Sequence, residues 1–160
     1  MNTWAKVLGV VAVLALAFAG DVTNAAPARD GDHLFIGTVW KGKLAQRGGG
    51  PTDFECVFTI TKRDGEKFEA DLYEKSGIME LTYLVRGTIK LIDPKNKQKG
   101  YAIEFESYEA KDVKNTGVIL DVPYKGTVDG KKIKGTWKLR PDSEFGALEG
   151  DFEFELSKKE

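Results

Sequence analysis

Apolar and polar residues alternate with a period of two along most of the chain beyond residue 34. A period of two indicates strands, because successive side chains of a strand point to opposite faces of the sheet. One apolar and one charged face on each segment is typical of antiparallel strands that pack one face on a core. The apolar positions of the clearest segments are Trp40, Gly42 and Leu44; Phe54, Cys56, Phe58 and Ile60; Phe68, Ala70 and Leu72; Tyr101, Ile103 and Phe105; Ile133, Gly135, Trp137 and Leu139; and Leu148, Gly150, Phe152, Phe154 and Leu156.

Turn signals separate these segments at the short spacing that hairpins require. Asp64-Gly65 and Asp129-Gly130 predict type I′ turns, while residues 48–51, 94–97 and 141–146 predict longer loops. Residues 108–116 are too polar to assign. About eight strands with short links predict that sequence neighbours pair, and closure of the sheet would remove its exposed edges. The sequence therefore predicts an all-β fold, an antiparallel up-and-down meander of about eight strands in a closed or nearly closed barrel.

The segment over residues 79–93 is apolar on both faces. Its inward set is Leu81, Tyr83, Val85, Ile89 and Leu91. Leu84 and Ile92 would then point outward, and Gly87 offers a bend or bulge within a strand that is long for a small barrel. The outer apolar side chains would be covered either by the N-terminal lead or by another chain. The second alternative is self-association through the Leu84 region.

The N-terminus has the organisation of a secretory signal peptide. Lys6 precedes an apolar run over residues 7–20, and small residues follow up to Ala25 at a cleavage site. The run is shorter than the roughly 20 apolar residues of a membrane-spanning helix. We therefore predict a signal peptide over residues 1–25, a flexible lead over residues 26–33 and a barrel domain over residues 34–160. The mature chain would be periplasmic or extracellular and would have no membrane span.

Composition narrows the possible functions. The formal net charge is −1, from 24 Lys and Arg against 25 Asp and Glu, and the signs alternate along the chain. This pattern is typical of a solvated surface and lacks the one-sided basic footprint of nucleic-acid binders. Cys56 is the single cysteine, so an intramolecular disulfide is excluded and stability must come from a packed core.

The residue types that carry catalysis are few. His33 is the single histidine and precedes the first strand, so we predict an exposed surface residue. Cys56 shares the inward face of Phe54 and Phe58, which predicts a buried, unreactive thiol. The chain has too few His and Cys residues for a zinc site, and no cofactor is predicted. The outward acidic column of residues 149, 151, 153 and 155 is expected to pair with Lys132, Lys134 and Lys138. The sequence thus indicates a protein that is not an enzyme.

Two segments carry a resemblance to a known group of barrels. Residues 124–130 read YKGTVDG and lead to KGTW over residues 134–137. With the export signal and the strand meander, they resemble calycin-type barrels, the group of lipocalins, fatty-acid-binding proteins and avidins. The resemblance implies a non-catalytic barrel that holds a small apolar ligand in its interior.

The candidate ligand-binding residues are the large aromatic side chains predicted to point inward. They are Trp40, Phe58, Tyr101, Phe105, Trp137 and Phe152. An eight-stranded barrel can instead be filled by its own side chains. In that case the alternative is an envelope-associated interaction or structural protein that acts through an outer sheet face.

Overall fold

The structure, a computed structural model, describes residues 33–48, 53–96, 99–142 and 146–158. Every strand pairs antiparallel with its sequence neighbour, and β8 pairs with β1 to close the barrel. The predicted all-β meander is therefore confirmed. The strands are β1 (Val39–Arg47), β2 (Asp53–Asp64), β3 (Lys67–Ser76), β4 (Met79–Leu91), β5 (Tyr101–Lys114), β6 (Pro123–Asp129), β7 (Lys132–Lys138) and β8 (Glu149–Lys158). Within these described ranges, no helix is long and apolar enough to cross a membrane. The predicted signal peptide and nearly all of the lead lie outside the described residues.

The two predicted hairpins differ in detail from the expected turn type. Asp64 pairs with Lys67 and Asp129 with Lys132, so glycine occupies the first central position of each turn and not the second. Gly65 and Gly130 have φ of 56° and 55°. The second central residues have negative φ, which is the type II′ pattern and not the predicted type I′. The β3–β4 hairpin repeats this arrangement at Gly77.

The polar segment that the pattern left unassigned continues β5 as far as Lys114. Its partner β6 begins only at Pro123, opposite Glu106, so the end of β5 pairs with β4 alone. The connection between β5 and β6 returns to Ser107, whose carbonyl accepts the N–H of Asp121 at 2.8 Å. The Ser107 hydroxyl also accepts the N–H of Val122 at 3.3 Å. These bonds hold the connection over one end of the barrel.

We call that end the mouth; the β1–β2, β3–β4, β5–β6 and β7–β8 connections lie there. The opposite end is the base, which the segment before β1 closes. Leu34 is fully buried there, and Gly37 and Thr38 extend the hydrogen bonding of β1 to Ile60. The Trp40 indole donates to the Thr38 hydroxyl at 3.3 Å.

The interior between base and mouth is filled by the side chains that the alternation predicted to point inward. Phe58 stacks on Phe154 with ring centroids 5.7 Å apart, and Phe105 stacks on Tyr124 at 4.5 Å. Phe152 meets the edge of Phe105 at 5.7 Å. Cys56 is buried, as predicted. Aromatic pairs at such distances are in favourable packing contact, so this part of the barrel is a solid core.

Gly87 lets the two aromatic neighbours of β4 approach its backbone. A Cβ at this position would lie 2.6 Å from Cβ of Phe105 and 2.7 Å from Cζ of Phe68, inside any normal contact. The irregularities of β4 pairing fall elsewhere, between Glu80 and Thr82 and between Leu84 and Val85. Gly87 is therefore a packing position and not the bulge that the sequence suggested.

Candidate functional site

A cavity of about 140 Å³ lies at the mouth, above the filled core. Its wall combines apolar side chains with two carboxyls, two phenols and an indole. It is lined by Leu44, Gln46, Phe54, Glu74, Met79, Glu80, Leu81, Tyr83, Thr116, Gly117, Ile119, Val122, Tyr124, Trp137, Leu139 and Leu148. At roughly 30 Å³ for one water molecule in the liquid, the enclosed space equals about four to five waters.

Glu74 is the charged residue at the inner wall of this cavity. It follows the inward positions Phe68, Ala70 and Leu72 on β3 with the same alternation, so its side chain points into the barrel. Its carboxyl is half-buried and opens towards the mouth. Burial raises the pKa of Glu74 from 4.5 to about 7, against the opposing effect of a hydrogen bond from Tyr124. The Tyr124 hydroxyl lies 3.5 Å from the Glu74 Oε1 atom, which is long for such a bond.

Two tyrosines stand around this carboxyl. Burial, and then the nearby charge of Glu74, raises the pKa of Tyr83 to about 12. The same two causes raise the pKa of the Tyr124 phenol well above its ordinary value. Both hydroxyls therefore keep their protons at neutral pH. The Tyr83 oxygen accepts the backbone N–H of Ile119 at 3.4 Å, which ties the β5–β6 connection to the wall of the cavity.

The surroundings of Glu74 lack a compensating cation among the described residues. Burial raises the pKa of the Cys56 thiol, so this neighbour stays neutral. Glu80 at the rim is bound by Lys114 at 2.8 Å and Lys75 at 3.5 Å, which leaves these lysines engaged away from Glu74.

The six predicted ligand-binding residues are all buried in the barrel. Trp137 is the one among them that lines the mouth cavity. Its indole nitrogen is buried without a hydrogen-bond partner in the described part of the chain. Trp40, Phe58, Phe105 and Phe152 belong to the packed interior, and Tyr101 lies at the beginning of β5 near the base.

His33 differs from its prediction. It was expected at the exposed surface, whereas its side chain is half-buried and its ring meets Phe35 edge-on at 6.4 Å between centroids. The contact holds it beside the segment that closes the base. His33 is thus far along the barrel from the mouth cavity.

Glu74, the central polar residue of the cavity, was absent from the sequence-based candidates. The signal that could have found it is a charge at an inward position, two residues beyond Leu72 in an otherwise apolar set. Buried carboxyls are rare unless they are paired, so such a break in the alternation marks a site of interest. Tyr124 and Tyr83 have the same inward parity and complete the cluster.

A second, wider groove of about 1060 Å³ is lined by residues of β2 to β6, which include outward charged side chains and the inward Phe68, Phe105 and Tyr124. Its charged side chains form ion pairs between neighbouring strands: Lys62–Glu69, Arg86–Glu106 and Lys125–Glu104. On the other side of the barrel, the predicted pairing of the acidic column of β8 is confirmed: Lys132–Glu155, Lys134–Glu153, Lys138–Glu149 and, in addition, Arg47–Asp151. The groove is more open to solvent than the mouth cavity.

Leu84 lies at an outward position of β4, between the buried Tyr83 and Val85, as the sequence predicts. Leu84 is half-buried and pairs with Asp71 on β3 and Glu109 on β5. Asp71 binds Lys111 at 2.9 Å beside it. The exposed large apolar residues nearest the mouth are instead Ile78, Val113, Val118 and Leu120, in the β3–β4 turn, the end of β5 and the β5–β6 connection.

In the part of the chain that the structure describes, no group of three or more His, Cys, Asp or Glu side chains could hold a metal ion. No protein-family model matches the chain. No curated protein matches it. Among solved structures, the chain is similar to one described as the de novo design of a fluorescence-activating beta barrel. That similarity has 16% sequence identity and a TM-score of 0.44, and it covers 81% of this chain and 99% of the designed chain.

Proposed function

We propose that this chain is an exported, non-catalytic β-barrel of the calycin type that binds a small molecule at its mouth. The observation that carries the proposal is the mouth cavity, where a half-buried carboxyl and two protonated phenols stand above a filled apolar core. Ligand sites are typically concave and mostly apolar, with a few polar groups that orient the ligand. The cavity has that composition, and its small volume suits the polar end of a ligand.

The polar groups of the cavity favour binding over catalysis. A general acid–base mechanism needs two groups whose pKa values lie on either side of the working pH. Glu74 has one suitable pKa, but Tyr83 and Tyr124 stay protonated and the Cys56 thiol is not activated. The pKa of Glu80 is lowered by its bonds to Lys114, and that carboxylate is occupied by the ion pair.

The location is proposed from the N-terminal sequence. Lys6 and the apolar run over residues 7–20 favour export, and an exported barrel would meet its ligand outside the cytoplasm. The calycin assignment rests on the closed eight-stranded meander together with the segments over residues 124–130 and 134–137.

A matched pair of cavity-filling variants tests the proposal. Ile119→Trp places a large ring at a residue that lines the cavity, whereas Val118→Trp adds the same ring at the adjacent exposed position. Native mass spectrometry of protein purified from its own host should show a retained small molecule on the wild type and on Val118→Trp. Ile119→Trp should be free of it. A bound molecule that persists in Ile119→Trp would place the binding site elsewhere and overturn the proposal.

The alternative is an interaction protein with a filled core. The observation that favours it is the group of exposed apolar side chains at the mouth, of which Ile78 is 79% exposed. We propose a second copy of this chain as the occupant of this surface; self-association through the Leu84 region stays a prediction. Sedimentation of the wild type and Ile78→Asp tests this: a dimer abolished by the substitution supports the alternative, and a monomeric wild type excludes it.

A further inference from the structure

The charge around Glu74 indicates what kind of ligand the mouth would take; this inference rests on the proposed binding function. We propose that the mouth cavity binds the protonated amine of a small organic cation, with the Glu74 carboxylate as its counter-ion.

Among the residues that the structure describes, Glu74 lacks the cationic partner that an inward carboxylate normally has. Its hydrogen bond within the described residues is the long one from Tyr124, at 3.5 Å. Removing a carboxylate from water without pairing it with a cation costs free energy. This cost is recovered when a cation binds next to the carboxylate. Lys75 and Lys114 are bound to Glu80 at the rim.

Each element packed around Glu74 presents a group that is neutral or anionic. Cys56 faces it from β2, Tyr83 from β4 and Tyr124 from β6, and the charge of Glu74 raises the pKa of all three. Glu80 adds a second carboxylate at the rim, neutralised by its lysines. The site therefore attracts positive charge and repels anions such as carboxylates and phosphates.

The remaining wall suits an organic cation better than a metal ion. The Glu74 carboxylate with two protonated phenols is a poor donor set for hard cations, which take six or more oxygen ligands, and the Glu80 carboxylate is already bound by two lysines. The rings of Tyr83, Tyr124 and Trp137 line the cavity, and aromatic rings attract ammonium groups through their electron-rich faces. A volume of about 140 Å³ holds an ammonium group with a few carbon atoms. Leu81, Leu139 and Leu148 supply apolar contacts for those carbons.

Three probes of equal chain length and different charge test the inference: n-butylamine, n-butanol and butyrate. Binding is measured by isothermal titration calorimetry at pH 7.5, supported by the change in tryptophan emission. We expect butylamine to bind at least about tenfold more tightly than butanol, because a charge-assisted hydrogen bond in a desolvated site strengthens binding by about that factor or more. Butyrate should not bind measurably.

The variant Glu74→Gln removes the counter-ion and keeps the shape of the side chain. In this variant, the ratio of the affinities for butylamine and butanol should fall to within about threefold. Glu69→Gln, on the outer face of the same strand, is the control and should keep the wild-type ratio. Because Glu74 has a pKa of about 7, wild-type affinity for butylamine should also fall when the pH is lowered to 5.5. Circular dichroism confirms that both variants are folded.

The outcomes separate the two proposals. Equal binding of butylamine and butanol, or a preference that survives in Glu74→Gln, overturns the amine assignment and leaves a binding site at the mouth. Preferential binding of butyrate also overturns it. Failure of all three probes, together with absence of a retained molecule in native mass spectrometry, overturns the binding function itself.

Discussion

The stability of the barrel should depend on pH through Glu74. The perturbation is Glu74→Gln, which removes the ionisable group with little change in volume. In the folded state burial raises the pKa of Glu74 to about 7, from the ordinary value of 4.5. Below pH 4.5 the carboxyl is protonated in both the folded and unfolded states, so it imposes no cost. Between pH 4.5 and about 7, the carboxyl is ionised in the unfolded chain but still mostly protonated in the folded protein. The free energy of unfolding therefore falls as the pH rises across this interval.

The magnitude follows from that interval. At about 1.4 kcal/mol for each pH unit, the range from 4.5 to about 7 corresponds to about 3 kcal/mol of unfolding free energy. Glutamine is neutral at every pH and lacks this dependence. The wild type should therefore lose about 3 kcal/mol relative to Glu74→Gln between pH 4.5 and pH 7.5. The buried phenols and thiol around Glu74 stay protonated throughout this window and do not contribute.

Urea unfolding followed by far-UV circular dichroism at four pH values measures the difference directly. Subtracting the wild-type free energy from that of the variant cancels the titration of the surface carboxylates that both proteins share. Glu69→Gln changes the same charge on the outer face of the same strand and should show no such rise. A difference between Glu74→Gln and wild type that stays constant within about 0.5 kcal/mol would refute the argument, because the carboxyl would then be as well solvated as in the unfolded chain.

Three further predictions concern packing, reactivity and processing. Gly87→Ala should destabilise the protein by about 1 to 3 kcal/mol, because the added methyl group overpacks against Phe105 and Phe68. Gly117→Ala is the control, because Gly117 has open space around it and the substitution should change the melting temperature little. Similar melting temperatures for the two variants would contradict the observed packing of β4. Cys56 should react slowly with a thiol reagent in the native protein and quickly after unfolding, because burial raises the pKa of its thiol. Fast labelling of the native protein would show that the inward and outward faces of β2 are reversed. Exported protein should begin near Ala26; N-terminal sequencing that finds Met1 on it would show that the signal peptide is retained.

The sequence by itself determined the strand architecture and the face of nearly every residue. Alternation with a period of two assigns each side chain to the inside or outside, because a strand offers only these two directions. This is why the burial of Trp40, Cys56 and Phe58 could be predicted, together with the ion pairs between the lysines of β7 and the acidic column of β8. Short links between strands favoured pairing of sequence neighbours, and the observed topology follows it.

Local turn chemistry was only partly predictable. An Asp-Gly dipeptide indicates a tight hairpin, and hairpins form at both predicted places. The position of the glycine within each turn depends on the register of the flanking strands, which is set by packing over the whole sheet. The β5 extension to Lys114 depends likewise on its long pairing with β4, which compensates for a polar sequence.

The candidate site was decided by tertiary structure. Alternation shows that Glu74, Tyr83 and Tyr124 point inward, but it does not show which inward residues of separate strands stand at the same height in the barrel. Closure brings β3, β4 and β6 together at the mouth and places their polar groups around one cavity, while Phe58, Phe105 and Phe154 fill the space below. Height along the barrel depends on strand register and stagger, which are properties of the closed sheet and not of any one segment.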